Sequence, residues 1–341
     1  MLGGADHTHA RLLNLDVSVV VPTYNRRASL GRLLRALEEQ TYPRDRFEVL
    51  VIDDGSDDGT PDYLRSLKTG YSLRILNQPH QGPAEARNLG VASAAAELIL
   101  FLDDDVVPAV DLIQVHVATH AAEGDGAVVI GPMSPPRDWP RSPWVRWEEE
   151  KLQSQYDAML AGLWSATERQ FYTANSSVGR QMFLASGGFD ASFKRAEDVE
   201  LGYRLRNMGA RFVFNPAADV LHYAARTFSA WRRTPYQYGR YDVIMSREKG
   251  HEALVRALRE FNGRHPLNRA LSRAVTGRPW LVSGIVRVLC VAVHAGARVG
   301  AQRTTSRALS GMFNLLYWQG VCDELGGRKL LWRSVAAGRI S

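Results

Sequence analysis

The stretch Leu98-Ile99-Leu100-Phe101-Leu102-Asp103-Asp104-Asp105-Val106-Val107-Pro108 places five apolar residues directly before three carboxylates. Such a short apolar run reads as a strand buried on both faces, so the acids sit at its carboxyl end. Like charges held together there repel, and a divalent cation taking oxygen ligands from alternate residues relieves the repulsion. A D-x-D pattern is therefore a candidate site for a metal that carries a phosphate. The competing reading is a solvated acidic turn.

The residues upstream favour the first reading. Val17–Val21 and Phe47–Ile52 read as strands, and Leu73–Leu76 as a third. Between them, Ser29–Gln40 carries Leu30, Leu33, Leu34 and Leu37 at helical spacing. Thr60-Pro61-Asp62 supplies an N-cap, a proline and an early acid for a second helix, and Pro83–Ala95 reads as a third. Strands alternating with helices predict an α/β fold with a mostly parallel sheet flanked by helices. In such sheets ligands bind where the strands' carboxyl ends converge. Three of those ends carry chemistry: Pro22-Thr23-Tyr24-Asn25-Arg26, the acidic loop Asp53–Thr60, and the Asp triplet.

Composition narrows the function class. With 45% hydrophobic and 23% charged residues, the 341-residue chain is globular. Cys290 and Cys322 form no CxxC or Cys/His cluster, so neither a disulfide framework nor structural zinc is expected. Residues 1–16, taken as an N-terminal extension, lack a basic then apolar secretion signal, which predicts a cytoplasmic location. Residues 1–250 hold 28 Lys and Arg against 32 Asp and Glu, net −4, whereas 251–341 hold 14 against 4, net +10. We therefore divide the chain into a catalytic module over 17–250 and a basic helical tail over 251–341. No RRM, zinc-finger or helix-turn-helix signature is present, so nucleic acid is not an expected partner.

Known phosphate and metal motifs fit poorly. Asp54–Arg65 aligns with a calcium loop but has Arg65 where the bidentate Glu belongs, and a strand precedes it. Neither GxGxxG nor a P-loop follows the first strand. The sequence instead resembles the family 2 glycosyltransferases with the Rossmann-like GT-A fold. The matching pieces, in order, are Val19–Arg26, Val51–Thr60, Ala86-Arg87-Asn88-Leu89-Gly90, Leu102–Asp105, Gly187-Gly188-Phe189-Asp190 and Glu197-Asp198.

This resemblance implies an inverting enzyme that uses a nucleotide-sugar donor, UDP-linked by preference, and Mg2+ or Mn2+. The acceptor would be a glycan or a lipid-linked glycan in cell-envelope or polysaccharide synthesis. Pro22, Thr23, Tyr24 and Arg26 would border the donor nucleotide, Asp54 would accept a hydrogen bond from the base, and Arg87 would face the diphosphate. Asp103 and Asp105 would hold the metal, with Asp104 near the ribose and His222 a further ligand. Asp198 would be the catalytic base; its competing reading is a helix cap. Gly187, Gly188, Phe189 and Glu197 would line the acceptor site. Gln237-Tyr238-Gly239-Arg240-Tyr241 echoes the QxxRW element of processive synthases, but Tyr241 replaces the Trp, which argues against processivity. The alternatives are a nucleotidyltransferase or an inactive nucleotide-sugar-binding module.

In the tail, Trp280–Gly300 is apolar but interrupted by Arg287, His294 and Arg298. Their spacing puts them on one helical face, opposite Leu281, Ile285, Val288 and Leu289, which predicts an amphipathic helix rather than a spanning one. It would lie on an anionic membrane surface or pack on the catalytic module. Leu309–Val321 reads as a second such helix.

Overall fold

The computed structural model describes residues 15–339 apart from 262 and 264, so residues 1–14 of the N-terminal extension lie outside the described residues. Two units are distinguished. The first takes in the residues up to Met133, Ala166–Phe189 and Leu205–Leu221; the second takes in Ser134–Ser165, Asp190–Arg204 and the chain from His222 onward.

Ten strands occur among the described residues: β1 (Val17–Thr23), β2 (Phe47–Asp53), β3 (Ser72–Asn77), β4 (Leu98–Leu102), β5 (Val106–Pro108), β6 (Ala127–Ile130), β7 (Met133–Ser134), β8 (Asn175–Gly179), β9 (Arg211–Phe214) and β10 (Val220–His222). Seven form one sheet in the order β3-β2-β1-β4-β8-β6-β9, and β5, β10 and β7 form a small second one. The pairs β1/β2, β2/β3 and β1/β4 are parallel, as the alternation of strands and helices predicts. The chain builds outward from β1 to β3 and then returns to lay β4 against the other side of β1. That reversal opens a crevice at the carboxyl ends of β1 and β4, the position where ligands enter open α/β sheets.

Every residue of β1 and β2 is buried, and the helix Arg27–Glu38 covers them with Leu30, Leu33, Leu34 and Leu37. Small corrections concern helix starts. Thr60 does not cap its helix, which runs Thr60–Ser66; Gly59 takes that position in the left-handed conformation at φ 83°. The Thr60 hydroxyl is instead spent on Asp58 Oδ1 at 2.5 Å.

The sheet's parallel run is broken by β8, which pairs antiparallel with both β4 and β6. Its residues Asn175, Ser176 and Ser177 are polar and fully or almost fully buried, and the helix Leu112–Glu123 satisfies two of them. Asn175 Nδ2 donates to the carbonyls of Pro132 and Ala218 at 2.9 and 2.7 Å, so Asn175 Oδ1 must accept from His116 Nε2 at 3.2 Å. His116 Nδ1 is then an acceptor for the Ser177 hydroxyl at 2.8 Å, and Ser177 Oγ accepts from His120 Nε2 at 2.8 Å. One direction of donation runs through the whole chain, and both imidazoles are neutral in it.

Burial pushes the pKa of both His116 and His120 down to about 4. Between pH 6.5 and about 4 the unfolded chain therefore binds protons that the native state refuses, and stability falls as the pH falls through that window. His116, fully buried, accounts for about 3 kcal/mol across it. Urea midpoints measured from pH 7 to pH 4.5 should drop more steeply in the native protein than in His116→Gln, which starts lower but lacks this titration.

The second unit is helical: Pro143–Leu160, Phe228–Glu248, Ala253–Phe261, Pro266–Val275, Pro279–Arg298, Gln302–Glu324 and Arg328–Ala337. Residues 222–250, assigned by sequence to the catalytic module, pack here with the tail helices. Gly239 and Gly320 make this possible: a Cβ on Gly239 would lie 2.1 Å from the Tyr317 carbonyl, and one on Gly320 would lie 2.1 Å from that of Tyr236. Only hydrogen fits at either contact. The QxxRW-like segment is thus part of a helix crossing, with Arg240 bound to Glu324 at 2.8 Å.

The helix Pro279–Arg298 buries Val282, Val286 and Val293 against Leu309, Met312 and Leu315. Leu281, Ile285 and Leu289 flank that buried face as expected, but Val288 does not. It stands exposed beside Arg287, because residues one apart diverge by about 100° around a helix.

Candidate active site

The site is built from the loops that leave β1, β2 and β4. Thr23, the last residue of β1, lies level with Asp53 of β2 and donates its hydroxyl to Asp104 Oδ2 at 2.8 Å. Asn25 follows in the left-handed region at φ 53°, a conformation Asn tolerates better than most residues. Its amide donates to Ser56 Oγ and its Oδ1 accepts from the Asp57 amide, at 2.9 and 2.8 Å, which ties the first loop to the second. This turn aims Arg26 back over the Asp triplet.

Arg26 Nη1 meets Asp105 Oδ2 at 2.5 Å and Asp104 Oδ1 at 3.4 Å. Arg87, buried on the helix Pro83–Ser93, binds Asp103 Oδ1 at 2.7 Å. The triplet is therefore not a wet turn: each carboxylate has a designated partner, and two of those partners are guanidinium groups. Burial pushes the Asp104 carboxyl up to about 7, against the pull of Arg26. Among the described residues no three His, Cys, Asp or Glu side chains are grouped to hold a cation as they stand. The donor set nonetheless suits a hard ion, since carboxylate oxygens are the ligands Mg2+ and Mn2+ prefer. Arg26 supplies positive charge at the place where such an ion would.

Two expected roles change. Asp54, expected to accept from a base, has both oxygens engaged: Gln78 Nε2 and the Gln81 amide reach Oδ1 at 2.7 and 2.8 Å, while His80 Nδ1 and the Gly82 amide reach Oδ2 at 2.8 and 2.9 Å. A carboxylate oxygen accepts about two strong hydrogen bonds, so Asp54 holds the Gln78–Gly82 loop rather than a ligand. Through it His80 is laid flat on Tyr24, ring centroids 4.0 Å apart, forming an exposed aromatic step, while Pro22 is buried. His80 carries no motif in the sequence; only its distance from Asp54 in the fold reveals it.

Phe189, expected to line an acceptor site, is instead 3% exposed and packs with Phe101 and Phe183. The Arg87 guanidinium lies 5.6 Å over its ring. Asn88, the neighbour of Arg87 on the same helix, clamps the Phe189 backbone: Nδ2 donates to its carbonyl and Oδ1 accepts from its amide, at 2.9 and 2.8 Å. The preceding Gly187 and Gly188 adopt φ 85° and 69°, and a Cβ on Gly188 would lie 2.7 Å from Asn88 Oδ1. One helix thus fixes both Asp103 and the glycine turn. Asn88→Ala should cost about 2 kcal/mol by leaving the Phe189 amide and carbonyl without partners, read as a lower urea midpoint.

In the second unit, Glu197 and Asp198 open the helix Glu197–Asn207. They occupy its first two positions, and Ala196 precedes them at φ 58°, so Asp198 is not the residue that caps this helix. A non-glycine residue in that conformation is strained, and here it sets the direction of the acidic pair. Asp198 Oδ1 accepts from the Val199 amide at 2.8 Å. Burial pushes the Tyr238 phenol up to about 12, and the Asp198 carboxylate adds to that push. Glu148 is held by Arg226 at 2.9 and 3.1 Å, although burial pushes its pKa up. Asp190 is paired with Lys249 at 2.7 Å and Ser192 at 2.6 Å, which hold it down to about 2 against the upward push of its partial burial. His222 closes β10.

The sequence of residues 18–185 matches the family model described as Glycosyl transferase family 2. Validoxylamine A glucosyltransferase of Streptomyces hygroscopicus subsp. jinggangensis is 34% identical over 224 residues, covering 57% of this chain and 52% of that protein. Glycosyltransferase AglE of Haloferax volcanii is 38% identical over 117 residues, 34% of this chain and 38% of its own length. The chain thus spans about half the length, or less, of these relatives. Among solved structures, mannosyltransferase PcManGT of Pyrobaculum calidifontis, in complex with GDP-Man and Mn2+, superimposes with a TM-score of 0.57 at 22% identity, covering 89% of this chain and 86% of that one. Staphylococcus aureus TarS 1-349 in complex with UDP gives 0.53 at 16% identity, covering 95% and 92%. At these identities the structural likeness speaks for the fold.

Proposed function

The chain belongs to glycosyl transferase family 2, and from that membership we propose that it moves a sugar from a nucleotide-sugar donor to a hydroxyl of a glycan or lipid-linked acceptor. The observation that carries this reading is the crevice between β1 and β4, where Thr23, Arg26 and Arg87 converge on Asp103, Asp104 and Asp105. It offers both signs of charge at one sheet edge, as a metal-bound diphosphate requires. UDP is the proposed nucleotide, its base and ribose set against the Tyr24 and His80 step.

Asp103 and Asp105 would hold Mg2+ or Mn2+, with His222 as a further candidate ligand. The ion supplies positive charge against the diphosphate. Arg87 and Arg26, released in part from the carboxylates, would bind phosphate oxygens, for which planar guanidinium groups are suited. Asp104 stays on Thr23 and keeps the strand end in register. The glycine turn, held by Asn88 through Phe189, would border the acceptor, and Glu197 is a further candidate for that role.

Asp198 would take the proton of the acceptor hydroxyl as that oxygen forms its bond to the anomeric carbon and the bond to the diphosphate breaks. A single displacement of this kind inverts the anomeric centre. The catalytic module is proposed to span 17–250, and the tail to face an anionic membrane surface on the cytoplasmic side, in cell-envelope or polysaccharide synthesis. Thermal shift against UDP-, GDP- and dTDP-sugars with and without Mn2+ tests the donor assignment: a rise in melting temperature that needs both nucleotide and ion is expected. No shift with any nucleotide sugar would contradict it.

A further inference from the structure

Within the second unit, the helix Pro279–Arg298 is long and apolar enough to cross a bilayer by length and composition, yet it is committed on one side. Val282, Val286 and Val293 are buried in the core it shares with the helix Gln302–Glu324. Crossing a membrane would mean withdrawing that face. What remains is the opposite side, where Trp280, Val288 and Val291 are 74%, 68% and 69% exposed. They recur with Gly284 and Ala295 at steps of three and four, so they form one continuous outward stripe. Arg287, His294 and Arg298 are exposed alongside it.

The charge around this stripe has one sign. From Phe261 to Cys322 the sequence holds eight arginines and not one acidic residue. A second copy of the chain would bring arginine against arginine with no carboxylate between them. Nucleic acid would answer the arginines but leave the valines uncovered. An anionic lipid surface answers both at once, because acyl chains receive the apolar stripe while headgroup phosphates receive the arginines flanking it.

We propose that this outward face of the helix Pro279–Arg298 is a membrane-docking surface, with Trp280, Val288 and Val291 seated at the acyl boundary of an anionic bilayer and Arg287 and Arg298 on its headgroup phosphates. The inference deepens the reading of the tail given above and is independent of the catalytic assignment. The helix lies in the plane of the interface and keeps its inner face in the protein core. Trp280, in its first turn, has the amphipathic ring that favours the headgroup level.

The test is co-sedimentation of the full chain with phosphatidylcholine vesicles, with and without phosphatidylglycerol, at low salt. Binding is expected only with phosphatidylglycerol. The variant Trp280→Ser/Val288→Ser/Val291→Ser should bind about tenfold or more weakly, and Arg287→Gln/Arg298→Gln about twenty-five-fold more weakly, at roughly fivefold per arginine. All five side chains are exposed, so melting temperature and nucleotide-sugar binding should be unchanged in both variants, which separates a failed surface from a failed donor site. As an independent reading, brominated acyl chains should quench native fluorescence, and Trp280→Phe should remove that component. The inference is overturned if the native protein stays in the supernatant with phosphatidylglycerol vesicles, if the triple variant binds as well as the native chain, if bromination quenches nothing, or if only RNA is bound.

Discussion

Asp198→Asn should reduce sugar transfer by about three orders of magnitude while donor binding stays at its native level. The size follows from the role: a positioned base contributes about 10^2- to 10^4-fold, and asparagine of nearly the same shape cannot take the proton. The substitution is also structurally mild. Asp198 Oδ1 accepts from the Val199 amide, and an asparagine carbonyl oxygen can accept in its place. Lost activity with an unchanged melting temperature would therefore report chemistry. Comparing kcat with the donor KM sharpens the result, since loss of a base lowers kcat and leaves KM nearly as it was. Full activity in Asp198→Asn would move the base elsewhere, with Glu197 the next carboxylate to test.

Asp105→Ala should weaken Mn2+-dependent donor binding and lower turnover by about 10^2-fold or more, because it removes one of the two carboxylates that would bring positive charge to the diphosphate. The structure adds a second consequence. Asp105 is the nearer partner of Arg26, at 2.5 Å against 3.4 Å to Asp104, so its loss leaves the guanidinium to Asp104 alone. Residual nucleotide binding should then be less dependent on added metal than in the native protein. Titration of a UDP-sugar with Mn2+ present and with Mn2+ chelated reads both effects. If Asp105→Ala retains native Mn2+ stimulation, Asp105 is not a ligand.

What the sequence made legible was whatever rests on local periodicity and on residues close in the chain. The strands at Val17, Phe47, Leu73 and Leu98 and the helices between them follow from apolar spacing, and the polar end of β1 meets the acidic ends of β2 and β4 because parallel strands share a direction. The antiparallel β8 was not legible. Asn175-Ser176-Ser177 is polar, and it becomes a buried strand only because His116 and His120 arrive from a helix some 60 residues away in sequence to complete its hydrogen bonds.

The site divides along the same line. Arg26, Arg87 and the Asp triplet could be named from the motifs that contain them, but their pairing could not, since Arg87 and Asp103 meet across a helix and a strand end. Asp54 and Phe189 were given outward roles because polar and aromatic residues in a motif suggest contact with a ligand. In the fold each is turned inward, one saturated by a loop and the other packed on two phenylalanines. His80 and the Asn88 clamp emerge only in three dimensions, since each acts on a partner elsewhere in the chain.

The central claim is that this crevice handles a metal-bound nucleotide sugar and that Asp198 drives its transfer. Release of nucleoside diphosphate from UDP-, GDP- and dTDP-sugars with Mn2+, in the native protein and in Asp198→Asn side by side, tests it most directly. The account predicts turnover of one of these donors by the native protein, its loss in the variant, and equal donor binding by both. Native protein that neither binds nor turns over any of them, or a variant that turns them over at the native rate, would contradict it.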